Sequence, residues 1–179
     1  MSARVVAFLR AINVGGRAVT MAELRGHFED FGFKDVETFI ASGNVVFTSK
    51  AADATLESRI EKGLKQSLGY DVATFVRRAD ELVAITKYQA FPASQIANAK
   101  TNVVGLVAAP LSVAAKKALM ALQNDDDTFH VHGREIYWIS LKGQSDSTFS
   151  NVQLERTIKC RTTFRGMNTI VRLVAKFGF

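Results

Sequence analysis

The sequence has almost no cysteine, and it has no apolar stretch of membrane length. Cys160 is the single cysteine among 179 residues, so an intramolecular disulfide cannot form and the chain fits a reducing compartment. The apolar run from Val5 to Leu9 lies between Arg4 and Arg10 and is too short for a signal peptide or a membrane span. These absences exclude a disulfide scaffold and predict a soluble, cytoplasmic protein with no membrane partner.

Recognisable catalytic and metal-binding motifs are also missing. The sequence contains no HExxH, CxxC, GxSxG, Walker or GxGxxG pattern, so it indicates no cofactor and no metal. His130 and His132 alternate along a predicted strand, but the neighbouring Asp125–Asp127 trio is more typical of a solvated turn than of a metal site. No catalytic constellation can be identified, which leaves open whether the protein is an enzyme.

Positive charge is in excess and unevenly spread. The chain carries 23 basic and 17 acidic residues, a net charge of +6, with a pI near 9.6. The segment from residue 156 to 179 contains six basic residues and no acidic one: Arg156, Lys159, Arg161, Arg165, Arg172 and Lys176. Such a stretch attracts phosphates, nucleic acid or acidic partners; the alternative is a solvated positive face.

Hydrophobic periodicity predicts the same order of elements, βαββαβα, in both halves of the chain. In the first half, a strand over 4–12 and a turn at Val14–Gly16 precede a helix that Thr20 and Glu23 open as a capping box. A hairpin, a helix that Asp53 caps and a strand over 72–76 follow, then a short helix. In the second half, Ser112, Ser147 and Asn168 are predicted to begin helices.

This pattern predicts an α+β protein made of two similar ferredoxin-like halves packed together. The predicted domains are residues 1–90, and residues 101–179 as a similar basic half, with 91–100 as a linker. Both faces of the first strand are apolar, so we expect the halves to cover each other's sheets, or a homodimer to do so. The protein is then a monomer or a homodimer, and a ligand cleft is expected between the halves.

The order of several motifs resembles a known bacterial family. LRAINVGG at 9–16, MAELR at 21–25, Gly32-Phe33 and TFIASGNVVF at 38–47 resemble the opening of the family known as domain of unknown function 1697. Near the end, Arg165, Asn168 and Thr169 match a family pattern, whereas Gly166 and Met167 depart from it. The resemblance implies a two-part α+β fold and no established activity.

A glycine loop after the first strand is the first candidate site. Arg10, Asn13, Gly15 and Gly16 lie between that strand and a helix N-terminus. Glycines let a ligand approach the backbone, and free N–H groups with an arginine suit an anion. The alternative interpretation is a tight loop in which the glycines adopt positive φ and Asn13 bonds the backbone.

The predicted hairpin turn and the second half supply the remaining candidates. Ser42 and Asn44 flank Gly43 and could present polar groups at the sheet end, although turn chemistry alone also explains them. We expect this turn to lie at the opposite end of the sheet from the glycine loop. Arg165 is predicted to assist the glycine loop from the second half.

Three functions are therefore weighed. The first is binding of a small anionic ligand, phosphate-bearing and nucleotide-like, by the residues named above. The second is nucleic-acid binding through the basic C-terminal half, which predicts strong salt dependence. Phe8 and Phe47 lie on strands that carry stacking aromatics in RNA-recognition modules, but core packing explains them better. The third is an enzyme acting on a phosphorylated metabolite.

Overall fold

The structure, a computed structural model, describes residues 3–13, 15–16, 18–143, 146 and 149–179. The chain divides into two compact units. The first comprises residues 1–84 together with Phe177–Phe179, and the second comprises Ile85–Lys176. The division falls six residues before the predicted end of the first domain.

Eight strands and seven helices follow one another in the described residues. The first half contains β1 (Ala3–Leu9), α1 (Met21–Asp30), β2 (Lys34–Phe39), β3 (Asn44–Ser49), α2 (Asp53–Leu68), β4 (Thr74–Arg78) and α3 (Ala79–Lys87). The short helix α4 (Ala93–Asn98) comes next. The second half contains β5 (Thr101–Leu106), α5 (Val113–Met120), β6 (Asp127–His132), β7 (Glu135–Ser140), α6 (Asn151–Ile158), β8 (Thr163–Gly166) and α7 (Met167–Phe177).

The strands form two four-stranded sheets of the same topology. The first sheet has the order β2-β3-β1-β4 and the second has the order β6-β7-β5-β8. Every pairing is antiparallel. The prediction of an α+β fold with two similar halves is therefore confirmed.

The core of the first unit lies between its sheet and two helices. Alternate residues of β1 face the helices, and they pack against the apolar stripes of α1 and α2, including Leu24, Phe28 and Ile60. Val6 and Phe8 lie on the other face of β1 and are also fully buried. Phe47 belongs to the core and is also fully buried. Neither Phe8 nor Phe47 is therefore accessible for stacking on a nucleic-acid base.

The core of the second unit includes the single tryptophan. Trp138 on β7 packs among Phe129, Phe149 and Phe164. Its indole Nε1 donates to Oδ1 of Asp127 at 2.9 Å, and Asp127 is only 2% exposed. The solvated turn expected for the three aspartates is therefore only partly correct. Asp127 is the first residue of β6, and its buried carboxylate accepts the hydrogen bond from Trp138.

Tyr88, just before the predicted linker, and Phe91, its first residue, pack on the second sheet. The ring of Tyr88 stacks on His132 with 4.1 Å between centroids, and its hydroxyl lies 2.8 Å from Nε2 of His130. Phe91 is buried and meets the ring of His130 edge-on. Small residues over 91–100 hid the helix α4 from the sequence analysis. Tyr88 and Phe91 therefore cover part of β6 and β7 through their contacts with His130, His132 and Tyr137.

Several predicted helix starts are confirmed and others differ. Thr20 forms the expected capping box, and Ser112 caps α5. Ala52, with no side-chain cap, precedes α2, while Asp53 pairs with Arg78 at 2.9 Å.

The start of α7 also differs, because that helix begins directly after β8, which places Asn168 inside it. Val14 and Ser147, on which a turn and a helix start were predicted, lie outside the described residues. Within the described part of the chain, no helix combines the length and apolarity needed to cross a bilayer.

Candidate ligand-binding site

Three loops converge at the end of β1 in the first unit. The backbone N–H of Leu9 donates to the carbonyl of Gly43 in the β2–β3 turn at 2.8 Å. The N–H of Arg10 donates to the carbonyl of Ala73, just before β4, also at 2.8 Å. The expectation that the glycine loop and the hairpin lie at opposite ends is therefore wrong. Because β3 runs antiparallel to β1, the turn that begins β3 adjoins the end of β1.

Asn13 fastens the glycine loop to its surroundings. Its Oδ1 accepts from the N–H of Val19 at 2.7 Å, and its Nδ2 donates to the carbonyls of Val19 and Ala41 at 3.1 and 3.4 Å. The hydroxyl of Tyr70 donates to the carbonyl of Ile12 at 3.2 Å. The amide of Asn13 is thus engaged with backbone, and the residue positions the loop.

Gly15 and Gly16 form the open part of this loop. Their φ angles are 69° and 82°, a region that L side chains rarely adopt. Both are exposed, and a Cβ added to either would meet nothing within 4 Å. Among the described residues, neither backbone N–H makes a hydrogen bond. A ligand could therefore reach the peptide groups directly.

Two residues other than glycine are held in the left-handed region beside this loop. Ala11 has a φ of 53° and Ile40, in the β2–β3 turn, has a φ of 50°. Such conformations cost on the order of 1–3 kcal/mol each and tend to cluster at functional sites. Ile40 is β-branched and still 39% exposed, so packing alone does not account for its conformation. No pattern in the sequence signalled either residue.

The N-terminus of α1 is already satisfied by its own side chains. Oε2 of Glu23 accepts from the N–H and the hydroxyl of Thr20, both at 2.8 Å, and the N–H of Glu23 donates to Oγ1 of Thr20. The backbone hydrogen bond from Thr20 is the main reason that the pKa of Glu23 lies below its ordinary value. A carboxylate thus occupies the helix end, and an anion would depend on Arg10 and the glycines.

The hairpin residues differ from each other in accessibility. Asn44 is fully buried as the first residue of β3, and its Nδ2 donates to the Phe39 carbonyl and to Oγ of Ser42, both at 2.9 Å. Ser42 itself is exposed. A Cβ on Gly43 would approach Cγ2 of Ile12 to 2.8 Å, so the tight turn needs glycine. Asn44 shapes the turn from inside the sheet.

Arg165 lies on β8 in the second unit and is buried. Its Nη1 donates to Oγ1 of Thr163 at 2.9 Å and to the carbonyl of Phe164 at 3.0 Å. Burial lowers the pKa of Arg165 to about 10. Arg77 holds the corresponding position on β4: it is buried and its Nη1 donates to the carbonyl of Val76 at 2.8 Å.

Side chains elsewhere do not assemble a metal or nucleophile site. In the described ranges, no three histidine, cysteine or acidic residues come together as metal ligands; His130 and His132 both contact Tyr88 instead. Burial, followed by the charge of Glu155, raises the pKa of the Cys160 thiol. A raised pKa makes Cys160 a poor nucleophile near neutral pH.

Comparison with known proteins identifies a family and supports the fold. The chain is similar to the conserved bacterial protein SP0830 from Streptococcus pneumoniae, with a TM-score of 0.75, 22% sequence identity and complete coverage of both chains. At this identity the likeness shows the fold alone. No curated protein matches the sequence. The model of the family described as protein of unknown function (DUF1697) matches residues 2–137, and the chain therefore belongs to the DUF1697 family.

Proposed function

We propose that the first unit binds a small anionic, phosphate-bearing ligand at the loops that follow β1. The observation that carries this proposal is the exposed Gly15–Gly16 backbone, which lies in the same loop as Arg10 and at the end of the sheet where three loops meet. Peptide N–H groups open to solvent and a guanidinium are the groups that bind phosphate oxygens. The net charge of +6 adds a long-range attraction for anions.

The proposed contacts divide by role. Arg10 supplies charge, Gly15 and Gly16 supply backbone N–H groups, and exposed Ser42 supplies a hydroxyl from the neighbouring turn. Asn13 and Asn44 support the site by holding the loop and the turn in place. We also propose that Arg165, in the second unit, contributes to anion binding.

Calorimetric titration of the full chain with adenosine monophosphate, and with adenosine as the uncharged control, tests this function. A hydrogen bond to a charged group contributes about 1.5–3 kcal/mol, so Arg10→Gln should weaken nucleotide binding by roughly 10- to 150-fold. Arg25→Gln is the matched control, because Arg25 is exposed on α1 and pairs with Glu29. Equal binding of adenosine, or unchanged binding by the Arg10 variant, would overturn the proposal.

A second candidate function is nucleic-acid binding by the second unit. Arg156, Lys159 and Arg161 are exposed within six consecutive residues at the end of α6. Neutralising about three phosphates predicts that the logarithm of affinity falls with log salt with a slope near −2 to −3. Measuring this slope with a single-stranded RNA oligomer, for the native chain and for Lys159→Gln, tests it; a flat response excludes it.

We also propose that the halves are copies of one ferredoxin-like unit. In the sheet registers, Arg77 lies opposite Val6 and Arg165 lies opposite Val104. Each arginine stands two residues before the helix that follows its strand. A shared buried arginine at one register position supports a common origin. The single Cys160 supports a cytoplasmic location, and sedimentation would distinguish a monomer from a homodimer.

A further inference from the structure

A cleft of about 210 Å³ opens on the second unit, beside α4, the edge strand β6 and its neighbour β7. Thr128 and Ile139 of the two strands line it, together with Gln95 and Asn98 of α4. Asp125, in the turn before β6, also lines it. The cleft is smaller than a typical drug-sized pocket of roughly 300–1,000 Å³, so it suits a compact ligand.

The lining of this cleft includes two aspartates, Asp125 and Asp126, within a positive part of the chain. Residues 91–179 contain six acidic residues, and three of them are Asp125–Asp127. Asp126 pairs with Nζ of Lys142 at 2.6 Å, and its hydrogen bond to that group raises the pKa of Lys142. Asp125 is exposed and, within the described ranges, makes no hydrogen bond or ion pair. Its carboxylate is therefore available to a ligand.

The rest of the lining favours a cation with an apolar body. Helix α4 ends at Asn98, so its partially negative C-terminal end adjoins the cleft. The amides of Gln95 and Asn98 can accept hydrogen bonds from N–H groups. Leu141 and Ile139 supply apolar side chains to the lining, and Leu141 is 46% exposed. A ligand seated here would cover apolar surface that now contacts water.

We propose that this cleft binds a small planar organic cation, an amidinium or guanidinium group carried on a short apolar body. A planar cation with two N–H groups pairs with one carboxylate through two parallel hydrogen bonds, which a spherical ion cannot do. Asp125 would hold the charged group, and Leu141 with Ile139 would contact the apolar part. This site is independent of the anion site proposed for the first unit.

Benzamidine and benzamide are suitable probes because they share size and shape and differ in charge. In an NMR titration of the ¹⁵N-labelled full chain, benzamidine should shift the amide signals of Thr128, Asn98 and Leu141. Benzamide should bind at least fivefold more weakly. Equal affinity for both probes, or shifts confined to residues outside the cleft, would overturn the proposal.

Variants separate this cleft from general attraction of cations to acidic side chains. Asp125→Asn should weaken benzamidine binding by at least fivefold, whereas Asp30→Asn, at an exposed aspartate of α1, should leave it unchanged. Leu141→Ser should also weaken binding, since it removes an exposed apolar side chain from the lining of the cleft. These substitutions are at exposed positions, so the spectra should show a folded protein. Unchanged affinity in Asp125→Asn would contradict the assignment.

Discussion

Replacing Asp127 by alanine should destabilise the second unit substantially. The substitution removes the carboxylate that accepts from Nε1 of Trp138 at 2.9 Å and from Nδ2 of Asn124 at 3.3 Å. Trp138 is only 2% exposed, so its indole N–H would be left without an acceptor and away from water. A hydrogen bond to a charged group contributes about 1.5–3 kcal/mol, and an unsatisfied buried donor costs about 1–3 kcal/mol. Both figures count part of the same lost hydrogen bond, so they cannot simply be added. We therefore expect the free energy of unfolding to fall by about 2–4 kcal/mol.

The single tryptophan provides the assay for this prediction. Urea unfolding followed by tryptophan fluorescence reports on the second unit, because Trp138 lies in that unit's core. Asp127→Ala should lower the free energy of unfolding by the amount given above, while Asp125→Asn, two residues earlier at an exposed position, should change it by less than about 0.5 kcal/mol. A stability of Asp127→Ala within about 0.5 kcal/mol of the native chain would refute the reasoning.

Three further predictions concern local features of both units. Thr20→Ala removes the hydroxyl that caps α1 by accepting from the N–H of Glu23. It should lower the free energy of unfolding, measured by urea titration, by about 1 kcal/mol; no loss would contradict the cap. Gly105→Ala would place a Cβ 2.6 Å from the ring of Phe164 and should cost about 1–3 kcal/mol, whereas an unchanged melting temperature would show that the ring moves freely. Because burial raises the pKa of Cys160, its alkylation by iodoacetamide should increase with pH through a midpoint above that of a free thiol; a lower midpoint would contradict the burial.

Elements with local signals were predictable from sequence. Thr20 and Glu23 predict the start of α1, because both hydrogen bonds of a capping box form within four consecutive residues. Gly69 ends α2 at a φ of 79°, as a glycine after an apolar stripe indicates. The helix α4 was missed because its six residues have no buried member and hence no stripe.

The site was harder to predict because it depends on strand direction and register. The glycine loop and the hairpin turn share one end of the sheet only because β3 pairs antiparallel to β1, with Asn44 opposite Phe8. In that register Asn44 is buried. The residue predicted to belong to the turn is therefore the first residue of β3. Left-handed Ile40 had no sequence signal, since β-branched residues are normally excluded from that region.

The most direct test of the anion site is a map of where phosphate binds. Titration of the ¹⁵N-labelled chain with adenosine monophosphate should shift the amide signals of Gly15 and Gly16 most strongly, together with Ser42. The same titration of Arg10→Gln should remove these shifts, and of Arg25→Gln should retain them. If the largest shifts fall instead at Arg156, Lys159 and Arg161 with Gly15 and Gly16 unmoved, the central claim about the glycine loop is contradicted.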